Sequence, residues 1–341
     1  MVPDSNQLIV EKYGAFVGKH SERVRVYLKG ELVEERPFYG LDHLLILSGG
    51  VSLSSDLIRE CAERGIPISF ISRGGKPYAK VISPELTGTI KTRREQLMAY
   101  LDRRGVILAK AFAGGKVANQ GVLLKYIAKY RKATDTELYE RVRDSALELD
   151  DCARKIGELQ GANVDEVRSS LMNLEGHAAR IYWDMAKELI IPEVDWEGRE
   201  TRGAQDMVNS ALNYGYGILY TQVERALVLA GLDPYAGFVH VDRPGKPSLV
   251  LDLIEEFRQA VVDRTIYAIL NRGVKLEIED GKLTEVSRRT IAEKVNERLE
   301  GDEPYEGKKH KLRTIIQSQA RHIATFVRGE GKQYKPFVGR W

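Results

Sequence analysis

The residues of this chain best suited to chemistry are a sparse set of histidines and carboxylates. They are His240 in Gly237-Phe-Val-His240, and Asp252, Glu255 and Glu256 in Leu251-Asp-Leu-Ile-Glu-Glu-Phe-Arg258. Asp252 and Glu255 are three apart, and Asp252 and Glu256 four apart, so on a helix either pair can project together. The apolar stripe Val250, Leu253, Ile254, Phe257 and Val261 faces elsewhere. A carboxylate pair with a nearby histidine suits a hard divalent ion such as Mg2+ or Mn2+, which polarises a phosphoryl oxygen and lowers the pKa of bound water. Solvated helix carboxylates and structural histidines use the same residue types, so spacing alone neither decides for a metal nor chooses between Glu255 and Glu256. Other chemistries lose ground by omission. There is no phosphate-cradling G-x-x-x-x-G-K-[ST] loop, no G-x-G-x-x-G after a strand, no H-E-x-x-H and no G-x-S-x-G elbow.

The elements that must position these residues fall into two kinds. Gln7–Glu11, Ala15–Lys19, Arg23–Lys29 and Leu32–Pro37 read as short strands, with Lys29-Gly30 as a turn, and their close spacing predicts antiparallel sheet. The apolar run Leu44–Leu47 precedes Ser52–Ser55, which can cap a helix carrying Leu57, Ile58, Cys61 and Ala62 before Gly65 stops it. Ile66–Ile71 and Lys76–Ile82 are further strands, and Pro84 and Gly88 mark a break. Beyond it the period is helical. Val167, Leu171, Leu174, Ala178, Ile181, Met185 and Leu189 define one long amphipathic helix, with Glu175 beside its stripe. A second runs from Met207 to Gly231 and a third from near Ser248 toward Asn271, and the Gly-, Pro- and Asp-rich loop between them carries His240. Asp280-Gly281 signals a hairpin, and Ser287–Glu300 and Lys308–Arg328 read as helix. The expected fold class is α+β: a β-rich domain with a short helix over residues 1–88, then a larger, mainly α-helical domain over 89–341.

Composition bounds the setting. A chain of 341 residues, 43% hydrophobic and 30% charged, is large enough for real cores, and two domains are the default. Cys61 and Cys152 stand far apart, outside any C-x-x-C pair, which fits a reducing interior rather than a disulfide framework. With no apolar run of membrane-spanning length and no signal-peptide pattern, a cytoplasmic protein is expected. Net charge is only +3, with 52 basic against 49 acidic residues, but the charges are segregated. Lys91–Lys132 and Gly307–Trp341 are strongly basic and Thr134–Gln160 leans acidic, a distribution that can offer a polyanion a positive surface.

Four segments, in order and spacing, resemble the signature of the CRISPR-associated endonuclease that integrates new spacers during adaptation. They are Ser170-Leu-Met-Asn-Leu-Glu175-Gly-His-Ala-Ala-Arg180-Ile-Tyr182, Asn209-Ser-Ala-Leu-Asn-Tyr-Gly-Tyr-Gly217, Gly237-Phe-Val-His240 and Ser248-Leu-Val-Leu-Asp252-Leu-Ile-Glu255-Glu-Phe-Arg258. That family also has a β-rich N-terminal domain, a larger helical domain and a Tyr-x-Pro-Phe element, here Tyr334-Lys-Pro-Phe337. Carried over position by position, the resemblance implies Glu175, His240 and Glu255 as the ligands of a catalytic Mg2+ or Mn2+. The third ligand is Asp in some members, and Glu is chemically equivalent. Asp252 would be a close acidic neighbour, Asn213 could orient a ligand or phosphate, and His177 would support the site without ligating. Arg180, Arg258, Lys308, Lys309 and Arg321 are candidates for DNA phosphate contact. Glu256 is assigned no ligand role, so its replacement should be milder than that of Glu175, His240 or Glu255.

The resemblance also implies a metal-dependent DNA endonuclease and integrase that inserts spacers into a CRISPR array by phosphodiester transesterification, in antiviral defence. Its partners would be double-stranded DNA (spacer precursor and repeat), a second copy of the chain joined through the β-rich domain, and a small ferredoxin-like adaptation partner, with no membrane. The competing readings are a non-catalytic nucleic-acid-binding scaffold and a metal hydrolase for a small phosphorylated substrate. The intact Glu175, His240 and Glu255 argue against the scaffold, and salt dependence would separate the small-substrate site from a DNA surface.

Overall fold

The computed structural model describes residues 7–72, 74–81, 90–129, 131–190, 194, 196–200 and 203–341. The expected break at Pro84 and Gly88, and with it the expected boundary between residues 88 and 89, lies outside them. The chain forms two compact units. The first gathers Met1–Leu86, Ala204–Thr221 and Leu276–Glu297, and the second Thr87–Gly203, Gln222–Lys275 and Arg298–Trp341. A sheet-rich N-terminal region followed by a mostly helical remainder makes the fold α+β, as expected.

In the first unit β1 (Gln7–Val10), β2 (Ala15–His20), β3 (Arg23–Leu28), β4 (Glu31–Pro37), β5 (His43–Ile46), β6 (Ser52–Leu53), α1 (Ser55–Glu63), β7 (Ile68–Ile71) and β8 (Pro77–Val81) build two four-stranded sheets. Their strand orders are β1-β5-β7-β8 and β4-β3-β2-β6. Alternation explains β3, where Val24 and Val26 are buried while Arg25 and Tyr27 are only partly so. At Lys29 (φ 52°) and Gly30 (φ 87°) two successive left-handed residues make the β3–β4 turn, as a two-residue hairpin requires. The antiparallel sheet expected of the first four strands holds for β2, β3 and β4 but not for β1. β1 pairs parallel with β5 and β5 with β7, the latter because α1 lies between them and returns the chain in the same direction. Ser54 caps α1 by accepting the Leu57 N–H. One apolar cluster, including Leu8, Val17, Val24, Leu44, Ile46, Leu57 and Ile68, draws on both sheets and α1.

Most of the second unit is helical: α2 (Ile90–Ala99), α3 (Arg103–Ala128), α4 (Thr136–Glu158) and α5 (Val164–Glu188). Asp102, Asp135 and Asn163 cap α3, α4 and α5 with their side chains. α6 (Met207–Leu229) gives its first part to the first unit and its last part to the second. The expected single helix from Ser248 to Asn271 is three pieces: α7 (Ser248–Ile254), a π-helical turn over Arg258–Asp263, and α8 (Arg264–Asn271). The hairpin of β9 (Ile278–Glu279) and β10 (Lys282–Leu283) turns at Asp280 (φ 50°) and Gly281 (φ 69°), and α9 (Glu285–Leu299) follows.

The expected helix over Lys308–Arg328 begins late. β11 (Asp302–Tyr305) and β12 (Lys308–Lys311) pair first, around a turn at Glu306 (φ 48°) and Gly307 (φ 79°), and α10 (Leu312–Val327) starts only at Leu312. Left-handed residues stop a helix from forming across that turn.

Candidate active site

His240 sits on a loop that is tied down at each step within the second unit. Gln96 on α2 donates to the carbonyls of Asp233 and Ala236 and accepts the Asp233 N–H. Arg168 on α5 donates to the carbonyls of Phe238 and Val239. Ser248 at the start of α7 accepts the Gly237 N–H at 2.9 Å. Gly237 is where loop and helix come closest: a Cβ there would lie 2.6 Å from the Ser248 carbonyl carbon and 2.8 Å from Asp252 Oδ2.

Asp252 is wholly buried, and its carboxylate gathers the loop. It accepts the backbone N–H groups of Phe238, Val239 and His240 and meets His240 Nδ1 at 2.7 Å. An acceptor-only carboxylate makes Nδ1 the donor, so the Nε2 lone pair is the one left for an electrophile. This is the carboxylate–histidine arrangement by which metal-binding imidazoles are oriented.

The break after α7 sorts the three acidic residues. Glu255, Glu256 and Phe257 donate backbone N–H to the carbonyls of Asp252, Leu253 and Ile254, three residues back rather than four. A helix wound at three residues per turn places Glu255 directly below Asp252 and turns Glu256 about a third of a circle away. Glu255 faces Glu175, whereas Glu256 faces the C-terminal segment.

Glu175 on α5 and Glu255 meet through a third side chain. The Lys116 ammonium on α3 lies 2.5 Å from Glu175 Oε1 and 2.9 Å from Glu255 Oε2, and Arg258 Nε lies 3.0 Å from Glu255 Oε1. Burial pushes the Glu255 carboxyl up, but the Arg258 guanidinium, the Lys116 ammonium and His240 outweigh it and hold the group well below the usual carboxylate range. Burial likewise works against the Lys116 ammonium, and Glu255 and Glu175 overcome it, so its pKa is raised. Among the described residues no three His, Cys, Asp or Glu side chains converge tightly enough to hold a metal as they stand. The donor set nevertheless fits a cation: two carboxylates already share one positive charge, and Asp252 takes Nδ1 of His240 and not Nε2.

Glu256 is fully buried and holds the last residues against the helices. It accepts from Tyr334 Oη at 2.7 Å, the Phe337 N–H at 2.9 Å and Gln319 Nε2 at 2.8 Å. Burial pushes its carboxyl up to about 7, against those three donors. Asn119, one turn along α3 from Lys116, donates to the carbonyls of Glu256 and Phe337 and accepts the Gly339 N–H. Phe257 and Phe337 stack at 5.2 Å. A Cβ on Gly115 would fall 2.7 Å from Pro336 Cβ, so that glycine lets this C-terminal strap lie on α3.

The remaining sequence candidates are more scattered. His177 and Arg180 are exposed on α5. Asn213 lies on the part of α6 that belongs to the first unit, where a Gly75 Cβ would fall 2.7 Å from the Asn213 carbonyl. Exposed Lys308 and Lys309 line an open groove of about 920 Å³ together with Tyr305, His322, Lys335 and Arg340, and Arg321 is exposed on α10. The basic surplus over Lys91–Lys132 is partly spent inside the fold: Arg104 pairs with Asp102 and Glu95, Lys110 donates to the Leu159 carbonyl, and Lys125 pairs with Asp150. Lys116, Asn119 and Gln319 were not singled out by the sequence. A faint signal exists for the first, since Gly114-Gly115 inside a helix is costly unless something packs closely there.

The geometry is that of an α+β protein with a caged histidine and two carboxylates converging on one cation. The sequence profile described as CRISPR associated protein Cas1 matches residues 8–297. The CRISPR-associated endonuclease Cas1 1 of Archaeoglobus fulgidus is 37% identical over 98% of this chain and 100% of its own length. Among solved structures, a casposase bound to integration product superposes with a TM-score of 0.81 at 22% identity, covering 96% of this chain and 92% of its own. A CAS1 protein from Thermotoga maritima gives 0.76 at 21% identity, over 97% and 99%. The chain belongs to the Cas1 family of CRISPR-associated proteins.

Proposed function

We propose that this chain is a divalent-metal-dependent DNA endonuclease and integrase that joins new segments into a CRISPR array by phosphodiester transesterification. The observation that carries the reading is the convergence of Glu175 and Glu255 on a single cation in the unit where buried Asp252 orients His240. Glu175, Glu255 and His240 Nε2 would hold Mg2+ or Mn2+. That ion, when bound, would supply Lewis-acid stabilisation of charge on a phosphoryl oxygen.

The chain's own residues do the rest. Asp252 keeps the imidazole in the Nδ1–H tautomer, and Gln96, Arg168 and Ser248 hold the loop so that His240 keeps its place. Arg258, paired with Glu255, places positive charge where phosphate arrives. In strand transfer a DNA 3′-hydroxyl oxygen bonds to phosphorus as the bond to the leaving 3′-oxygen breaks, the hydroxyl proton passing to solvent or to the leaving oxygen. In cleavage, water takes the place of the hydroxyl.

Duplex DNA is the substrate in this reading, and the groove with Lys308, Lys309, Lys335 and Arg340 is a phosphate-contacting surface. A second copy of the chain and a small ferredoxin-like partner complete the proposed assembly. Among the described residues no helix is long and apolar enough to cross a membrane. The test is transfer of a short duplex into a repeat-bearing plasmid, with and without Mn2+ and the small partner. Absence of metal-dependent joining and nicking under all these conditions would refute the proposal.

A further inference from the structure

We propose that Lys116 is a resident counter-ion that a divalent cation must displace, so that metal enters this site by ion exchange. The inference rests on the reading of Glu175, His240 and Glu255 as the metal's ligands. Its basis is that one ammonium touches both carboxylates, at 2.5 Å and 2.9 Å, while the other Glu255 oxygen faces Arg258 at 3.0 Å. A hard divalent ion needs carboxylate oxygens at roughly 2.0 to 2.2 Å, and an ammonium already in contact with the same oxygens repels it. The two cannot share the seat.

The backbone beneath Lys116 has little freedom to withdraw. Gly115 is packed beneath Pro336, and Asn119 is fixed to the Glu256 and Phe337 carbonyls and to the Gly339 N–H. What can move is the four-carbon stem, whose side chain is 16% exposed and so has a way out to solvent. Before metal arrives, Lys116 neutralises two carboxylates that would otherwise repel each other. It also sets the metal concentration at which the site fills.

The experiment titrates Mn2+ into the full-length folded chain at low ionic strength, following binding by calorimetry, for the wild type, Lys116→Met, Lys116→Arg and Lys125→Met. Removing the competing charge should lower the Mn2+ Kd in Lys116→Met by at least about tenfold. Lys116→Arg, which keeps the charge, should bind no tighter than the wild type. Lys125→Met deletes a charge from the exposed face of the same helix and should leave the Kd within about twofold. Adding Glu175→Gln to Lys116→Met should cancel the gain. Where Lys116→Met fails to fold without metal, Mn2+ should restore wild-type melting, and failure to restore it overturns the proposal. Wild-type affinity in Lys116→Met also overturns it while leaving the ligand assignment intact. If the wild type and every variant bind no Mn2+, the ligand assignment fails and this inference with it.

Discussion

At the scale of single residues, the side chains around the break after α7 have divided labour. Glu255 and Glu175 face a cation, His240 is aimed by Asp252, and Glu256 secures the strap. Replacing Glu175, His240 or Glu255 by Ala should cut metal-dependent strand transfer by at least about 10²-fold. Duplex affinity should change little, and the check is to measure both on the same folded samples. Glu256→Ala, expected from the sequence to be milder than loss of a ligand, should act on the fold rather than on the metal. It strands Tyr334 Oη and the Phe337 N–H in the interior and takes from Gln319 Nε2 one of its two acceptors, a loss of about 3 to 5 kcal/mol on denaturant unfolding. Glu256→Gln, which keeps one acceptor oxygen, should lose less. The family resemblance chose Glu255 over Glu256, but spacing could not. An α-helix puts Asp252 with Glu256 and a tighter turn puts it with Glu255, and the local winding is not written in residue types. Lys116 was equally hard to read, since an isolated lysine in a basic stretch looks like surface charge until the fold brings two carboxylates to it.

At the scale of elements, the Gly237–His240 loop is set by how closely it approaches α7. Gly237→Ala puts a methyl within 2.8 Å of both backbone and the Asp252 carboxylate, so the loop must move. Strand transfer and Mn2+ affinity should both fall while the melting temperature drops only a few degrees. Unchanged metal affinity would mean the loop tolerates the shift without carrying His240 along. Periodicity made the long helices legible, because α5 keeps its apolar stripe over many turns. It misled where tertiary partners outvote local pattern. The buried carboxylates of Asp252, Glu255, Glu256 and Asp263 each answer to a group on another element, and the chain passes from α7 into a π-helical turn on the way from the first to the last. The run Leu44–Leu47, apolar without alternation, was in fact the mark of a strand buried on both faces of a parallel sheet.

At the scale of the whole molecule, charge and sheet edges suit the proposed assemblies. β4 is an edge strand, and on it Leu32 and Val33 are 48% and 45% exposed. A dimer in solution is expected from light scattering at micromolar concentration, and Val33→Lys should shift it toward monomer. For DNA, reversing Lys308, Lys309 and Lys335 to Glu should weaken duplex binding and flatten its dependence on salt, since each phosphate contact contributes about 0.9 to the logarithmic slope. An unchanged slope would remove the groove from the DNA surface. Summed charge, near neutral, gave no hint of this surface. Its segregation along the chain did, although internal pairs such as Lys125 with Asp150 leave less free positive charge than the sequence count implies.

The strap also orders events in time. Asn119 closes on Gly339, 220 positions later, and Glu256 closes on Phe337 across 81. Such long-range closures come late, after local helices have formed. During synthesis at about 5 to 20 residues per second, the strap leaves the ribosome roughly 4 to 16 seconds after Glu256. Until then the Glu256 side chain lacks two of its three donors, Tyr334 Oη and the Phe337 N–H. A growing chain therefore carries all its acidic residues before the strap that secures Glu256 has closed. Ribosome-bound chains stalled just before Tyr334 should resist capture by antibodies that recognise only the finished helical unit, and chains extended a few tens of residues past Trp341 by a linker should be captured.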